Sequence, residues 1–183
     1  MTKTVAVIVG SLRKDSANKT VARALEQIAG PQLKFDYIEI GDLPFYNEDT
    51  ENAGAPAAWQ RVREQVKRAD AVLFVTPEYN RSVPGVLKNA VDVISRPYGK
   101  NNFDGKPAAV ISSSPGALGG FGANHHLRQS LTFLNTPILQ QPEAYFGGVF
   151  GWFDEAGNVK DEGAKKLLGA FADKFVAWIS KHA

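Results

Sequence analysis

Three stretches of the chain, Thr4 to Val9, Asp70 to Thr76 and Pro107 to Ser112, are continuous runs of β-branched and apolar residues. Such runs read as strands covered on both faces, because a strand with one wet face would alternate instead. Leu33 to Ile40 does alternate, with Leu33, Phe35 and Tyr37 set among polar neighbours, and predicts a strand at a sheet edge. Pro137 to Leu139 predicts a short fifth strand. Between these runs the apolar spacing changes to that of helices. Val21, Ala22, Leu25 and Ile28 form one stripe, beginning after Ser16 and stopped by Gly30-Pro31. Trp59, Val62, Val66 and Ala69 form a second, and Leu87, Ala90, Val91 and Ile94 a third, with Pro84 at its first turn. Leu127, Leu131 and Leu134 mark a fourth. From Asp161, a capping residue, to Ile179 a fifth helix carries Leu167, Leu168, Phe171, Phe175 and Trp178. Asp42 to Pro56 shows no period and reads as a long loop.

Five strands alternating with five helices define an α/β protein: a doubly wound, five-stranded parallel sheet with helices on both faces, because right-handed βαβ crossovers join such strands. The flavodoxin-like strand order 2-1-3-4-5 is the candidate topology, and it opens a crevice between strands 1 and 3 at their carboxyl ends. No internal repeat, linker or low-complexity tract divides residues 1–183, so one domain is expected.

Three polar loops start where the first, third and fourth strands stop: Gly10 to Ser16, Pro77 to Ser82 and Ser112 to Ala117. In the expected topology they share one rim. The first offers the hydroxyls of Ser11 and Ser16, the Arg13 guanidinium, the Asn18 amide and the free N–H groups of a helix start, a set suited to a phosphate dianion. It is neither a dinucleotide fingerprint, having Gly10 as its sole glycine, nor a triphosphate loop, since no Gly-Lys-Ser/Thr follows. The plainer alternative, Ser16 capping a helix with Arg13 and Lys14 in water, stands equally. In the second loop Pro77 and Pro84 stiffen the ends, while Glu78, Tyr79 and Asn80 present amides and a flat ring on which a planar ligand would lie. The third, with Ser113, Ser114, Gly116, Gly119 and Gly120, allows close backbone approach to a ligand, although taken alone it reads as a flexible connection.

Composition narrows the chemistry. The chain has 183 residues, 44% of them hydrophobic, and a formal charge of +2, so nothing marks it as a binder of nucleic acid or of a membrane surface. The expected partner is a small molecule. With no cysteine, redox work has to come from a bound cofactor. The apolar start is too short for a signal-peptide core and no later run is long enough for a membrane span, so a cytoplasmic enzyme is expected. The neighbours His125 and His126 diverge on a helix and do not make a metal pair. Asp104, Asp154 and Asp161 sit in turn-like settings that suit local hydrogen bonding. Tyr145, Phe146, Phe150, Trp152 and Phe153 form an aromatic group that reads first as core cover.

Gly10-Ser-Leu-Arg-Lys-Asp-Ser16-Ala-Asn18, Thr76-Pro-Glu-Tyr-Asn80, Ser82-Val-Pro-Gly85, Leu87-Lys-Asn-Ala-Val-Asp92 and Ser114-Pro-Gly-Ala-Leu-Gly-Gly120 resemble the NAD(P)H-dependent FMN reductase family, and within it the bacterial quinone reductases also described as chromate reductases. The likeness runs from the first strand to the last helix, and the Pro-Glu-Tyr-Asn block is its most specific part. It implies non-covalently bound FMN, NAD(P)H as co-substrate and a small-molecule electron acceptor such as a quinone, free flavin, an azo dye or chromate, reduced in a ping-pong cycle. By position it implies Ser11, Arg13, Ser16 and Asn18 around the FMN phosphate, Pro77, Glu78, Tyr79 and Asn80 along the isoalloxazine ring, and Ser114 and Gly116 on its other side. No side chain is implied as a catalyst and no metal is required. The resemblance further implies a homodimer or homotetramer, with Arg81 and Phe121 to His126 near a neighbouring subunit. The competing reading from another class is an electron-carrier flavoprotein. A pI near 8.8 counts against it, since such carriers tend to have acidic docking faces.

Overall fold

The computed structural model describes residues 2–182. Its centre is a five-stranded parallel sheet formed by β1 (Lys3–Val9), β2 (Leu33–Tyr37), β3 (Ala71–Thr76), β4 (Ala108–Ser113) and β5 (Ala144–Phe146), in the order β2-β1-β3-β4-β5. The expected topology is therefore present, with β2 and β5 at the edges. Six α-helices accompany the strands: α1 (Ala17–Ala29), α2 (Glu48–Gly54), α3 (Ala57–Arg68), α4 (Gly85–Ile94), α5 (Phe121–Phe133) and α6 (Glu162–His182).

Alternate residues of the central strands feed two cores. Val5, Val7 and Val9 of β1, with Leu73 and Val75 of β3, pack against Val21 and Leu25 of α1 and Leu168, Phe171 and Phe175 of α6. Ala6 and Ile8, with Val72 and Phe74, face Trp59 and Val62 of α3, Leu87 and Val91 of α4 and Leu127 of α5. Every residue of β3 and β4 is buried, which is why these segments read as unbroken apolar runs. Each large side chain so enclosed contributes about 1.5–3 kcal/mol. The helix after β1 lies on the first face and the helix after β3 on the second. Their connections diverge above the carboxyl ends of β1 and β3, and this places the crevice.

Four expectations need correction. Strand β5 is Ala144–Phe146, not Pro137 to Leu139. The earlier run meets β4 only at one parallel bridge, Ile138 to Ala108, before Gln140 to Glu143 interrupt it, and Pro142 has no N–H for a ladder. Strand β2 ends at Tyr37, after which Ile38 and Ile40 turn into the second core. The span Asp42 to Pro56 contains α2, so six α-helices stand where five were expected. Its Asn47 side chain accepts from Asp49 N at 2.8 Å and three acids occupy its first turn, but none of its residues is buried, so it carries no apolar period. Ile28 and Leu167 stand exposed beside their stripes rather than within them.

Candidate active site

The first, second and third polar loops meet above β1, β3 and β4. Gly10 N donates to Val75 O at 2.9 Å, and a Cβ on Gly10 would stand 2.9 Å from Leu87 Cδ2 and 3.0 Å from Thr76 Oγ1. Glycine thus lets the first loop lie against β3 and α4. Asn18, at the start of α1, reaches across to β4: Ser113 Oγ donates to its Oδ1 at 2.9 Å, and its Nδ2 donates to Ser113 O at 3.4 Å. Both residues are buried. The Asn18 amide is therefore a tie between the first and third loops. Ser11 and Ser16 are also buried, and Ser16 Oγ accepts from Lys19 N at 3.4 Å as the cap of α1, while Arg13 is exposed. The capping role leaves Ser16 able to bind an anion as well, since a hydroxyl oxygen that accepts here still has its proton to donate.

The second loop is a tight two-residue hairpin. Tyr79 N donates to Ser82 O at 3.0 Å and Ser82 N to Tyr79 O at 2.9 Å, around Asn80 and Arg81 with φ of 51° and 63°. Two positive φ values define a type I′ turn, and a non-glycine pair held there stores strain of a kind that collects at functional sites. Pro77 precedes it, and the Tyr79 ring is half exposed, 49% open to solvent. The Tyr79 and Ser82 amides are occupied by the turn, which leaves those of Glu78, Asn80 and Arg81 without a protein partner among the described residues. The Glu78 carboxylate does not point into solvent. Its Oε2 accepts from Ala123 N at 3.1 Å in the first turn of α5, where the helix dipole favours a negative charge, and Arg81 Nη1 donates to its Oε1 at 3.4 Å.

The third loop is fixed rather than flexible. Gly119 and Gly120 have φ of 58° and 78°, and a Cβ on Gly119 would fall 2.4 Å from the carbonyl carbon of Tyr145. Ser114 N donates to Phe146 O at 3.0 Å and Ser114 Oγ to Gly116 O at 3.1 Å. Gly116 is open, its nearest would-be contact being Ser114 Oγ at 3.9 Å.

The three loops hold an unusual stock of free donors. Among the described residues the amides of 11–18 in the first loop, of Glu78, Asn80 and Arg81 in the second, and of Gly116, Ala117 and Leu118 in the third donate to no protein group. Backbone donors gathered on one rim and left open select a ligand rich in acceptors.

Some supporting residues leave little trace in sequence. Asn89, buried on α4, donates through Nδ2 to Leu43 O and Pro44 O and accepts from Tyr46 N, fixing the segment after β2. A polar residue inside the apolar stripe of Leu87, Ala90 and Val91 was the available signal. The two histidines diverge as expected: His126 Nδ1 lies 2.9 Å from Ser82 Oγ, and His125 Nε2 lies 2.8 Å from Tyr145 Oη. Phe146 and Trp152 pack together with ring centres 5.1 Å apart, whereas Tyr145 turns away to His125 and Phe121. Asp104 accepts from Asn135, Asp154 from Asn158, and Asp161 from Ala164 N at the start of α6, all local roles.

A parallel sheet in this order, with a donor-rich crevice at its switch point, defines the doubly wound class of flavodoxin-like nucleotide binders. The family model described as NADPH-dependent FMN reductase matches residues 3–151. A quinone reductase of Pseudomonas putida is 59% identical over 175 residues, which cover 96% of this chain and 94% of the relative. A 2-hydroxy-1,4-benzoquinone reductase from a Burkholderia species is 44% identical, covering 96% of this chain and 95% of its own. Among solved structures, the flavoenzyme NAD(P)H:(acceptor) oxidoreductase FerB of Paracoccus denitrificans superposes with a TM-score of 0.94 at 47% identity, covering 98% of both chains. The chain belongs to the NADPH-dependent FMN reductase family. It is an FMN-containing oxidoreductase that uses NAD(P)H as co-substrate. The open donors fit the group: a phosphate dianion and the carbonyl oxygens, N1 and N5 of an oxidised flavin are acceptors. No described helix is long and apolar enough to cross a membrane.

Proposed function

We propose that this protein is a quinone reductase in which NAD(P)H and the quinone take turns at one open flavin face. Free flavin, azo dyes and chromate are further candidate acceptors. The observation that carries the reading is the set of unpartnered amides shared by the three loops, and the quinone-reductase names of the relatives support it. Bound FMN supplies reversible two-electron chemistry. The net reaction takes a hydride from NAD(P)H and a proton from solvent, and converts a quinone to its hydroquinone.

In this reading the protein positions and tunes. Ser11, Arg13, Ser16 and the amides at the start of α1 hold the phosphate, with Asn18 fixing the loop against Ser113. Pro77, Glu78, Tyr79 and Asn80 line one side of the isoalloxazine ring, where the free amides of Glu78 and Asn80 favour negative charge on the ring by the logic of an oxyanion hole. Ser114 and Gly116 border its other side. The Glu78 carboxylate, held on Ala123 N, positions the second loop against α5. No side chain serves as a nucleophile.

We also propose that the protein works in the cytoplasm, where NAD(P)H is held, and as a homodimer or homotetramer. The exposed rings of Phe121 and Phe133 on α5 support an assembly, and light scattering on flavin-loaded protein tests it. The decisive experiment is an absorbance spectrum followed by anaerobic titration with NADPH and then benzoquinone. Flavin absorbance should bleach on the first addition and return on the second. A colourless protein unable to take up added FMN would overturn the reading, and bound flavin that NADPH alone does not bleach would assign it to an electron carrier, which needs a dedicated reductase.

A further inference from the structure

Between α1 and the end of β2 lies a second groove of about 330 Å³, which opens from the first loop at Ser11. Leu12 and Tyr37, 53% and 39% exposed, give it apolar and aromatic walls, and Lys19 and Arg23 line it from α1. Neither cation has an ion-pair partner among the described residues. Glu26 Oε2 accepts from Tyr37 Oη at 2.8 Å, and Glu39, which also lines the groove, accepts through Oε1 from Gly41 N at 2.8 Å; the two cations border a second hollow together with Asp154 and Glu155.

The placement of these cations works against the helix. Lys19 and Arg23 are four residues apart, so like charges share one face, and Lys19 stands in the first turn, where the helix dipole disfavours positive charge. That turn contains no acid. With Arg13 and Lys14, four cations gather over eleven residues against the single carboxylate of Asp15. Set against that net charge of three, the flavin phosphate, a monoester of about two negative charges, leaves positive charge over for a second anion.

We propose that this groove receives the adenosine end of NADPH, with the ribose 2′-phosphate between Lys19 and Arg23 and the adenine against Leu12 and Tyr37. The proposal rests on the reading of the protein as an NAD(P)H-dependent reductase and adds the residues that select the phosphorylated coenzyme. A cavity of this size lies within the range of small-ligand sites.

The test uses the FMN-loaded protein and the variants Lys19→Gln, Arg23→Gln and Lys19→Arg. Wild-type oxidation of NADH with benzoquinone checks the parent reading separately. In the Gln variants, kcat/KM for NADPH relative to NADH should fall about ten-fold or more, the size of one charge-assisted hydrogen bond, while Lys19→Arg keeps the wild-type ratio. Calorimetric binding of 2′,5′-ADP to the loaded protein should weaken in parallel. An unchanged ratio, or undiminished 2′,5′-ADP binding, overturns the proposal even when NADH turnover is normal. So does 2′,5′-ADP that binds only flavin-free protein, because the cations would then belong to the flavin phosphate.

Discussion

Asn18 and Ser113, at the head of α1 and the tail of β4, clasp each other through two hydrogen bonds across 95 positions of chain. The pair is buried, so the amide and hydroxyl have no water to fall back on. It fixes the distance between the first loop and the third. Asn18→Ala should leave the Ser113 hydroxyl and carbonyl unsatisfied, destabilising the protein by about 1–3 kcal/mol. FMN affinity should fall with it, because the first loop loses its anchor. Chemical denaturation and flavin titration measure the two effects, and a variant with wild-type stability and affinity would show the clasp to be idle.

Arg13 and Ser16 offer a test that separates cofactor binding from folding. Arg13 is exposed and makes no hydrogen bond among the described residues, whereas Ser16 caps α1. Removing the cap alone costs about 1 kcal/mol of stability. Hydrogen bonds to a phosphate are charge-assisted and worth roughly 1.5–3 kcal/mol each, so the double variant Arg13→Ala, Ser16→Ala should lose flavin affinity by about a hundred-fold or more. Equilibrium dialysis against FMN reads the affinity and thermal unfolding reads the fold. Retained affinity in the double variant would remove both residues from the cradle.

The sheet was legible because β1, β3 and β4 are buried on both faces and so write unbroken apolar runs, and the positions of their ends placed the crevice. Strand β5 was not. Its three residues are too few for a pattern, and the better apolar run at Pro137 to Leu139 competes with it. Helix α2 escaped because its stability comes from Asn47 and an acidic first turn rather than from burial. In the site, the stiff Pro77 loop was readable from its prolines. The capture of the Glu78 carboxylate by Ala123 N was not, because it joins residues 45 positions apart and depends on how α5 docks. Gly119 and Gly120 read as slack, when both in fact hold positive φ and the close backbone of Tyr145 demands a glycine at 119.

Tyr37 provides a pH test of the α1–β2 contact. Burial, and then its hydrogen bond to Glu26, hold its phenol well above the usual tyrosine range. As pH rises past about 10, the unfolded chain releases this proton before the folded one does, so the contribution to stability is complete below that pH and is lost above it as the folded group titrates. Tyr37→Phe should therefore flatten the alkaline fall in stability and delete one late step from the phenolate absorbance titration. An alkaline profile identical to wild type would show that the bond to Glu26 contributes nothing.

Gly119 and Gly116 sit three residues apart in one loop and should respond oppositely to the same added methyl group. At Gly119 the backbone has a φ of 58° and the new Cβ would lie 2.4 Å from the Tyr145 carbonyl carbon and 2.7 Å from Phe146 N, atoms of the edge strand that cannot swing aside. Gly119→Ala combines left-handed strain with a backbone clash and should cost more than about 2 kcal/mol, visible as a lower melting temperature. At Gly116 a Cβ meets nothing nearer than 3.9 Å, so Gly116→Ala should fold like wild type. Its effect belongs to the flavin: a methyl group on the third loop should weaken FMN uptake if the ring lies against that backbone. A Gly116→Ala protein with unaltered FMN affinity would move the ring away from this loop, and a stable Gly119→Ala protein would show that the loop is free to retreat from β5.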